Sequence, residues 1–235
     1  MFGLSPLAAS WYCRCGAMVD AGHFHTCNRV HGPATNTRHE TVVTELATFG
    51  ISHLQLHVER SPPIATSDGR LIEGESHVVP DVIFLGHGLS LAIDVSFVYS
   101  ESDGRIRLAS KESNLNKFVL STMGERTREK IKKYEAACEE KDLKFDAFVA
   151  DSHGGLDASA NRVINALVEY GAGELGCKRK DLHLYMRRRV AIAIQRGNAR
   201  LDRQAVQLSR GGYGQAIALG YAQPKPGSVG GAADQ

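Results

Sequence analysis

Two apolar runs rich in β-branched residues, VVPDVIFL and LSLAIDVSFV, flank a short Gly-His-Gly segment at positions 86–88. Two such runs joined by so short a connection predict a β-hairpin. If His87 and Gly88 are the two central residues of the turn, Gly86 pairs with Leu89, and this pair sets the register of both strands. A slip of one residue would turn every side chain to the opposite face. The turn therefore decides which side chains lie together.

Each predicted strand carries one carboxylate in an otherwise apolar run, Asp81 in the first and Asp94 in the second. Burying a carboxylate costs free energy unless a positive group compensates its charge. The register above places the two opposite each other with Cβ atoms about 5 Å apart, a spacing at which they can share one Mg²⁺. The alternative is that one caps a turn and the other pairs with an arginine. The opposite face of the hairpin is apolar and can pack against helices: Val82, Phe84, Ile93 and Val95.

Helical and strand patterns surround the hairpin. Apolar spacing predicts a helix over 38–49 that ends at Gly50, a strand in LQLHVE and a buried strand in FDAFVAD. Further helices are predicted over 125–141, with Ile131, Tyr134 and Cys138 buried, over 158–170, and over about 180–208, where Gly197 is a weak point. Mixed strands with flanking helices predict an α/β or α+β core.

Two lysines and an arginine share one face of the predicted helix over 125–141. Lys130 and Lys133 are three residues apart, and Arg126 lies one turn before Lys130. A lysine brought to the carboxylate pair would orient a water molecule or neutralise charge that develops on a phosphate. Glu45, on the earlier helix, is a candidate third carboxylate. The alternative for all of these residues is an ordinary solvated surface.

The charge of the chain is distributed unevenly. The formal net charge is +2, but residues 176–210 contain ten Lys or Arg against two acids, which gives +8, and the remaining 18 basic and 24 acidic residues give −6. An apolar stripe beside the basic face of this helix can dock on the core: Met186, Val190, Ala193, Leu201 and Leu208. The basic face is predicted to contact a polyanion, and the alternative is solvated charge without a ligand. Its members are Lys178, Arg189, Arg196, Arg200, Arg203 and Arg210.

Cysteine and histidine residues cluster near the N-terminus. One candidate set for a tetrahedral structural Zn²⁺ site is Cys13, Cys15, His23 and Cys27, with His25 and His31 as alternative fourth ligands. Reduced thiols without metal are the other interpretation. The total of five cysteines is odd, so a closed disulfide framework is not expected.

Composition restricts the class of protein. With 235 residues, 43% of them hydrophobic, the chain can bury a sizeable core, which excludes a disordered chain or a fibre. No stretch reaches the roughly 18 to 20 apolar residues of a bilayer span. We therefore expect an intracellular protein that has no membrane partner.

Taken in chain order, the motifs resemble the restriction-like endonuclease domain of non-LTR retrotransposons, a branch of the PD-(D/E)XK nuclease superfamily. The similarity covers roughly 11–170. The motifs are the Cys/His cluster, Arg38 and His39, Pro80 and Asp81, Asp94, and Lys130, Lys133 and Tyr134. The resemblance implies a restriction-endonuclease-like core over 36–175. The Cys/His cluster predicts a zinc module over 11–35, the excess of basic residues predicts a basic helical extension over 176–210, and the Gly, Pro, Ala and Gln content predicts a flexible tail over 211–235.

The resemblance also implies a function. It predicts hydrolysis of DNA phosphodiester bonds with Mg²⁺ or Mn²⁺ held by Asp81 and Asp94, and nucleic-acid contacts by Arg38 and His39. The lysine that the superfamily carries two residues after its second acid is replaced here by Ser96. Its role is expected to have migrated to Lys130 or Lys133.

Other functions compete with the nuclease. One is a non-catalytic nucleic-acid-binding module that keeps the zinc site and the basic helix, and another is a structural subunit of a nucleoprotein assembly. DNA is the expected partner in a nuclear setting, with RNA or a reverse transcriptase, on the same or another chain, as further candidates. The resemblance fits a domain of a longer polyprotein and a stand-alone relative alike.

The zinc hypothesis predicts about one equivalent of Zn²⁺ in protein that is expressed with zinc and purified without chelator. Removing the ion should loosen the N-terminal module, because a structural zinc site contributes folding free energy. Metal analysis and proteolysis before and after chelation measure both effects. Protein that lacks zinc under these conditions would count against the proposed ligands.

Overall fold

The computed structural model describes residues 28–65, 77–99 and 115–218. These ranges contain four helices, which are α1 (Asn28–Leu54), α2 (Leu115–Glu139), α3 (Ala158–Glu174) and α4 (Arg179–Ala218). They also contain six strands, which are β1 (His57–Arg60), β2 (Ile64–Ala65), β3 (His77–Val78), β4 (Val82–Gly86), β5 (Leu89–Val98) and β6 (Lys144–Asp151).

The hairpin forms with the predicted turn and register. Gly86 pairs with Leu89, and the antiparallel ladder of β4 and β5 continues to Val82 opposite Ile93. β1 adds to β4 in antiparallel fashion, and β6 lies parallel to β5, so that the sheet order is β1-β4-β5-β6. A parallel pair requires a crossover connection, and α2 lies in the connection from β5 to β6. The α/β class is confirmed as a four-stranded mixed sheet packed against helices.

The two faces of the sheet carry separate apolar cores. On one face, the predicted apolar residues of the hairpin pack with α1, α3 and α4; the hairpin residues are Val82, Phe84, Ile93 and Val95. On the other face, Ile83, Ala92 and Ala147 pack against α2. The buried side of α2 includes Tyr134 and Cys138, as predicted, with Ile131 half-buried beside them. Successive side chains of β4 and β5 therefore point alternately to the helices on the two faces of the sheet.

The helices are longer than their sequence patterns predict. α1 covers 28–54 rather than 38–49, so its first residues overlap the predicted 11–35 zinc module. α4 continues through Ala218, beyond the residue 211 at which a flexible tail was predicted. α4 is also part of the domain, because Met186, Val190, Ala193 and Leu201 of its predicted apolar stripe are buried in the first core or fully buried beside it.

Two glycines were misinterpreted from sequence. Gly50 does not end α1; it is buried, and a Cβ there would lie 2.7 Å from Cε1 of Phe84. Gly197 lies where α4 meets α1, and a Cβ there would lie 2.9 Å from Cα of Arg38. Both positions lack a side chain because another element packs directly against the helix backbone. Helix propensity alone cannot reveal such a requirement.

Within the described ranges, no helix is long and apolar enough to cross a membrane.

We predict that Gly197→Ala destabilises the fold by about 1 kcal/mol or more. The gain in helix propensity is about 1 kcal/mol, but overpacking typically costs about 1–3 kcal/mol, and here the obstacle is backbone. Gly173→Ala in α3 is the matched control, because its Cβ would meet nothing within 4 Å. Urea unfolding gives both free energies. Equal stability of the two variants would contradict this account of the contact between α1 and α4.

Candidate active site

Asp81 lies just before β4 and joins the sheet to α1. Its amide donates a hydrogen bond to the carbonyl of Ile93 (2.9 Å). Its Oδ2 accepts a hydrogen bond from the amide of Val95 (2.6 Å) and lies 2.9 Å from Nε2 of His39 on α1. The carboxylate is therefore fixed beside β5 by the backbone and by one imidazole. The ladder ends at Val82, so Asp81 lies one residue beyond the regular pairing with β5.

Asp94 lies in the middle of β5, on the face that α2 covers. Its side chain is only 6% exposed, and Oδ2 lies 2.8 Å from Nζ of Lys130. The contact is an ion pair rather than a well-directed hydrogen bond. A carboxylate so deeply buried requires a cation, and α2 provides it.

The structure distinguishes the two lysines that the sequence left equivalent. Both ammonium groups lie near the ring of Tyr134, with Nζ at 5.7 Å from its centroid for Lys130 and 5.4 Å for Lys133. Lys130 is the one whose Nζ contacts Asp94. The geometry therefore favours Lys130 as the site lysine.

A second contact between α2 and β5 involves the serine that replaces the superfamily lysine. Ser96 is buried, and its Oγ accepts a hydrogen bond from Nε of Arg126 (2.8 Å). Arg126 precedes Lys130 by four residues, about 6 Å along a helix, and Asp94 precedes Ser96 by two, about 6.6 Å along a strand. These similar rises let one helix place two cations against two neighbouring side chains of one strand.

His39 contacts Asp81, the first residue of the acidic pair Asp81 and Asp94, and its side chain is 28% exposed. Burial lowers the pKa of His39, but the hydrogen bond to Asp81 and the negative charges of Asp81, Glu40 and Asp94 outweigh it. The pKa of His39 is therefore raised above its ordinary value. Sequence had assigned His39 to nucleic-acid contact. The sequence pattern carries no periodic signal that links α1 to the start of β4, so this contact was missed.

Two predicted site residues of α1 lie elsewhere. Glu45 accepts a hydrogen bond from Nε of Arg189 on α4, so the structure joins it to the basic helix and not to the acidic pair. Arg38 is 3% exposed; its Nη1 donates to Oδ1 of Asn198 (3.3 Å), and its guanidinium lies 4.4 Å from the ring centroid of Phe97. Its charge is inside the domain, which argues against the predicted contact with nucleic acid.

The predicted basic face of α4 is divided. Arg189 is bound to Glu45, and this hydrogen bond raises its pKa despite an opposing effect of burial. Arg196, Arg200 and Arg203 are exposed, as is Lys178 just before the helix. Arg200 donates to Oγ1 of Thr41 (3.3 Å). The backbone of residue 210 is helical, and its side chain lies outside the described part.

The predicted zinc ligands fall outside the residues that the structure describes: Cys13, Cys15, His23, His25 and Cys27. The backbone at His31 lies in α1, and its side chain is outside the description as well. Among the described residues, no group of three or more His, Cys, Asp or Glu side chains is arranged to hold a metal ion.

A scan against protein-family models gave no match, and a search of curated proteins found no significant match.

We predict that Lys130→Met destabilises the fold by on the order of 3 kcal/mol, because it leaves Asp94 buried without its cation. Lys132→Met is the matched control on the same helix, because Lys132 is exposed, and it should cost much less. Adding Asp94→Asn to Lys130→Met should recover much of the loss, since the uncompensated charge is then gone. Unfolding free energies of the single and double variants form a double-mutant cycle. Additive losses would show that the two side chains do not interact.

Proposed function

We propose that this chain is a Mg²⁺-dependent DNA endonuclease of the PD-(D/E)XK type, related to the restriction-like endonucleases of non-LTR retrotransposons. The observation that carries the proposal is that Asp81 is bonded to the amide of Val95, the residue next to Asp94, and that the carboxylate of Asp94 contacts Lys130. Asp81, Asp94 and Lys130 are the residues that the motif resemblance assigns to metal binding and catalysis. They lie in three separate segments of the sequence.

The order of elements also supports the proposal. The central unit begins with α1 and the antiparallel strands β1, β4 and β5, and it ends with the crossover helix α2 and the parallel strand β6. The short β2-β3 pair lies between β1 and β4 in the sequence. The central unit is the mixed sheet flanked by helices that the resemblance implies. Asp94 lies in β5 and Asp81 lies directly before β4. The motif resemblance assigns the metal ligands to these same positions of the hairpin.

The donor set fits Mg²⁺ better than a metal that needs a closed protein cage. Mg²⁺ prefers oxygen ligands, keeps several waters, and is often bound by one or two carboxylates together with substrate phosphates. Asp81 and Asp94 would hold the ion together with water molecules and substrate phosphate oxygens. Bound there, Mg²⁺ would supply Lewis-acid stabilisation of charge on the phosphodiester oxygens.

The remaining side chains have defined tasks in this proposal. Hydrolysis forms a bond from a water oxygen to phosphorus and breaks the P–O bond to the leaving oxygen. The attacking water gives up a proton to solvent and the leaving oxygen takes one from solvent, while negative charge develops on the phosphate oxygens. Lys130, held at Asp94, would direct its ammonium protons to the attacking water or to that charge. His39 holds the carboxylate of Asp81 in place and so acts as a positioning residue. Ser96 keeps Arg126 beside the same face of β5.

A non-catalytic nucleic-acid-binding module is the second candidate. The ion pair between Asp94 and Lys130 would stabilise the fold even without a metal, so an inactive descendant could keep it. Divalent cation distinguishes the two functions, because cleavage requires Mg²⁺ or Mn²⁺ and binding requires neither.

The test is cleavage of supercoiled plasmid by the purified full chain in Mg²⁺, Mn²⁺ or EDTA. We expect nicked or linear product only with the divalent ions, and its loss in Asp94→Asn and Asp81→Asn. Lys130→Ala should slow cleavage by on the order of 10² or more if the ammonium stabilises transition-state charge, whereas Lys133→Ala should slow it far less. Asp142→Asn, in the exposed turn after α2, is an isosteric control.

Circular dichroism melts of every variant separate lost chemistry from lost fold. Full cleavage by folded Asp94→Asn would refute the metal assignment. A wild-type protein that binds duplex DNA but never cuts it in either metal would favour the binding module.

A further inference from the structure

An open polar groove runs between the first half of α1 and the middle of α4. It encloses about 450 Å³. From α1 it is lined by the hydroxyl-bearing residues Thr37, Thr41 and Thr44, and from α4 by Arg196 and Arg200. The three threonines recur at helical spacing and so share one side of α1. Arginine and threonine side chains are frequent ligands of phosphate groups in nucleic acids.

Each of the two carboxylates in this groove pairs with an arginine that does not line it. Glu40 has one oxygen 2.6 Å from Nη2 of Arg60, and the other lies 3.5 Å from Nδ1 of His39. Glu45 is bound by Arg189. The groove carboxylates therefore do not compete strongly for the two groove arginines.

Arg196 and Arg200 have no such compensation. Both are exposed, and in the part of the chain that the structure describes neither pairs with a carboxylate. Nη1 of Arg200 instead donates to Oγ1 of Thr41, whose own proton goes to the carbonyl of Thr37 (2.7 Å). The guanidinium groups of Arg196 and Arg200, one helical turn apart, thus face the groove without a carboxylate partner among the described residues. A bound anion would reduce the repulsion between them.

The groove adjoins the acidic pair through α1. Glu40 lines the groove and contacts His39, and His39 contacts Asp81. The turn of α1 at 39–41 therefore presents one side chain to the acidic pair and the next two to the groove. Phosphates bound in the groove would therefore lie two side-chain contacts from Asp81.

We propose that the groove between α1 and α4 binds the phosphate backbone of duplex DNA beside the point of cleavage. The inference rests on the proposed nuclease function and specifies where that enzyme holds its substrate. Arg196 and Arg200 contact backbone phosphates, Thr41 orients the guanidinium of Arg200, and the contacts carry no base specificity. Arg189, which the sequence grouped with these residues, serves instead to neutralise Glu45.

The experiment is a salt titration of binding to two unrelated fluorescent duplexes of about 20 base pairs, with the full chain in EDTA so that nothing is cut. We compare wild type with Arg196→Ala/Arg200→Ala and with Arg187→Ala/Arg188→Ala. The control pair removes the same charge from exposed positions of the same helix that do not line the groove. Melting curves confirm that all three proteins are folded.

Losing two phosphate contacts should flatten the slope of log affinity against log salt by about 1.8. We expect this change, with a loss of affinity of about ten-fold or more on both duplexes, in the groove variant, and a slope change below about 0.5 in the control. Equal slopes for the two variants would overturn the groove assignment. So would displacement of the duplex by millimolar inorganic phosphate at constant ionic strength, since that would indicate a site for a small anion.

The outcomes separate this inference from the nuclease proposal. If wild type cuts plasmid with Mg²⁺ but the groove variant binds duplex like the control, the nuclease stands and the groove does not. If the groove variant loses binding while wild type never cuts, the groove is a DNA site on a protein without nuclease activity.

Discussion

Burial of the Asp94 carboxylate is the constraint on which the remaining architecture depends. A charge on the central face of a sheet is tolerated only where a cation meets it at contact distance. The hairpin register places Asp94 on the face that α2 covers, and α2 answers with Lys130 at 2.8 Å. The same helix spans the connection that makes β6 parallel to β5. The electrostatic requirement of one residue and the topology of the sheet are thus satisfied by one element.

α1 has three roles on three sides, which explains its length and its close packing. Its inner side enters the first core with Val42, Leu46 and Phe49. Another side presents His39 to Asp81, and a third lines the groove with α4. Contact between the two helix backbones at Gly197 fixes α4 against α1. The groove and the acidic site therefore both depend on how α1 packs in the domain.

The hairpin and its two faces could be predicted because turn length and side-chain alternation are local properties of the sequence. The sequence predicts that either Lys130 or Lys133 reaches the carboxylates, because both lie on one helical face. Only the placement of α2 on β5 shows that Lys130 is the one that contacts Asp94. Glu45 was a candidate third carboxylate of the site but pairs with Arg189, because helical spacing does not tell which element packs opposite. The nucleic-acid contact of Arg38 came from the motif resemblance, which does not reveal that this side chain is buried. The helix ends were mispredicted for the same reason as the partner of Glu45. At Gly50 the absence of a side chain makes room for the ring of Phe84 and does not end the helix. The proposed zinc ligands remain a prediction from spacing.

The separation of β6 from the hairpin also has a consequence for biogenesis. β4 and β5 meet through a two-residue turn and can pair early, whereas β6 follows only after α2. As the chain emerges from the ribosome, β5 must pass through a stage at which one edge has no partner. Apolar strands with open edges aggregate, and an ionised side chain in such a strand opposes this. Before Lys130 reaches it, Asp94 is a hydrated charge in the middle of that strand. In the nascent chain this charge opposes edge-to-edge association of β5 with other strands.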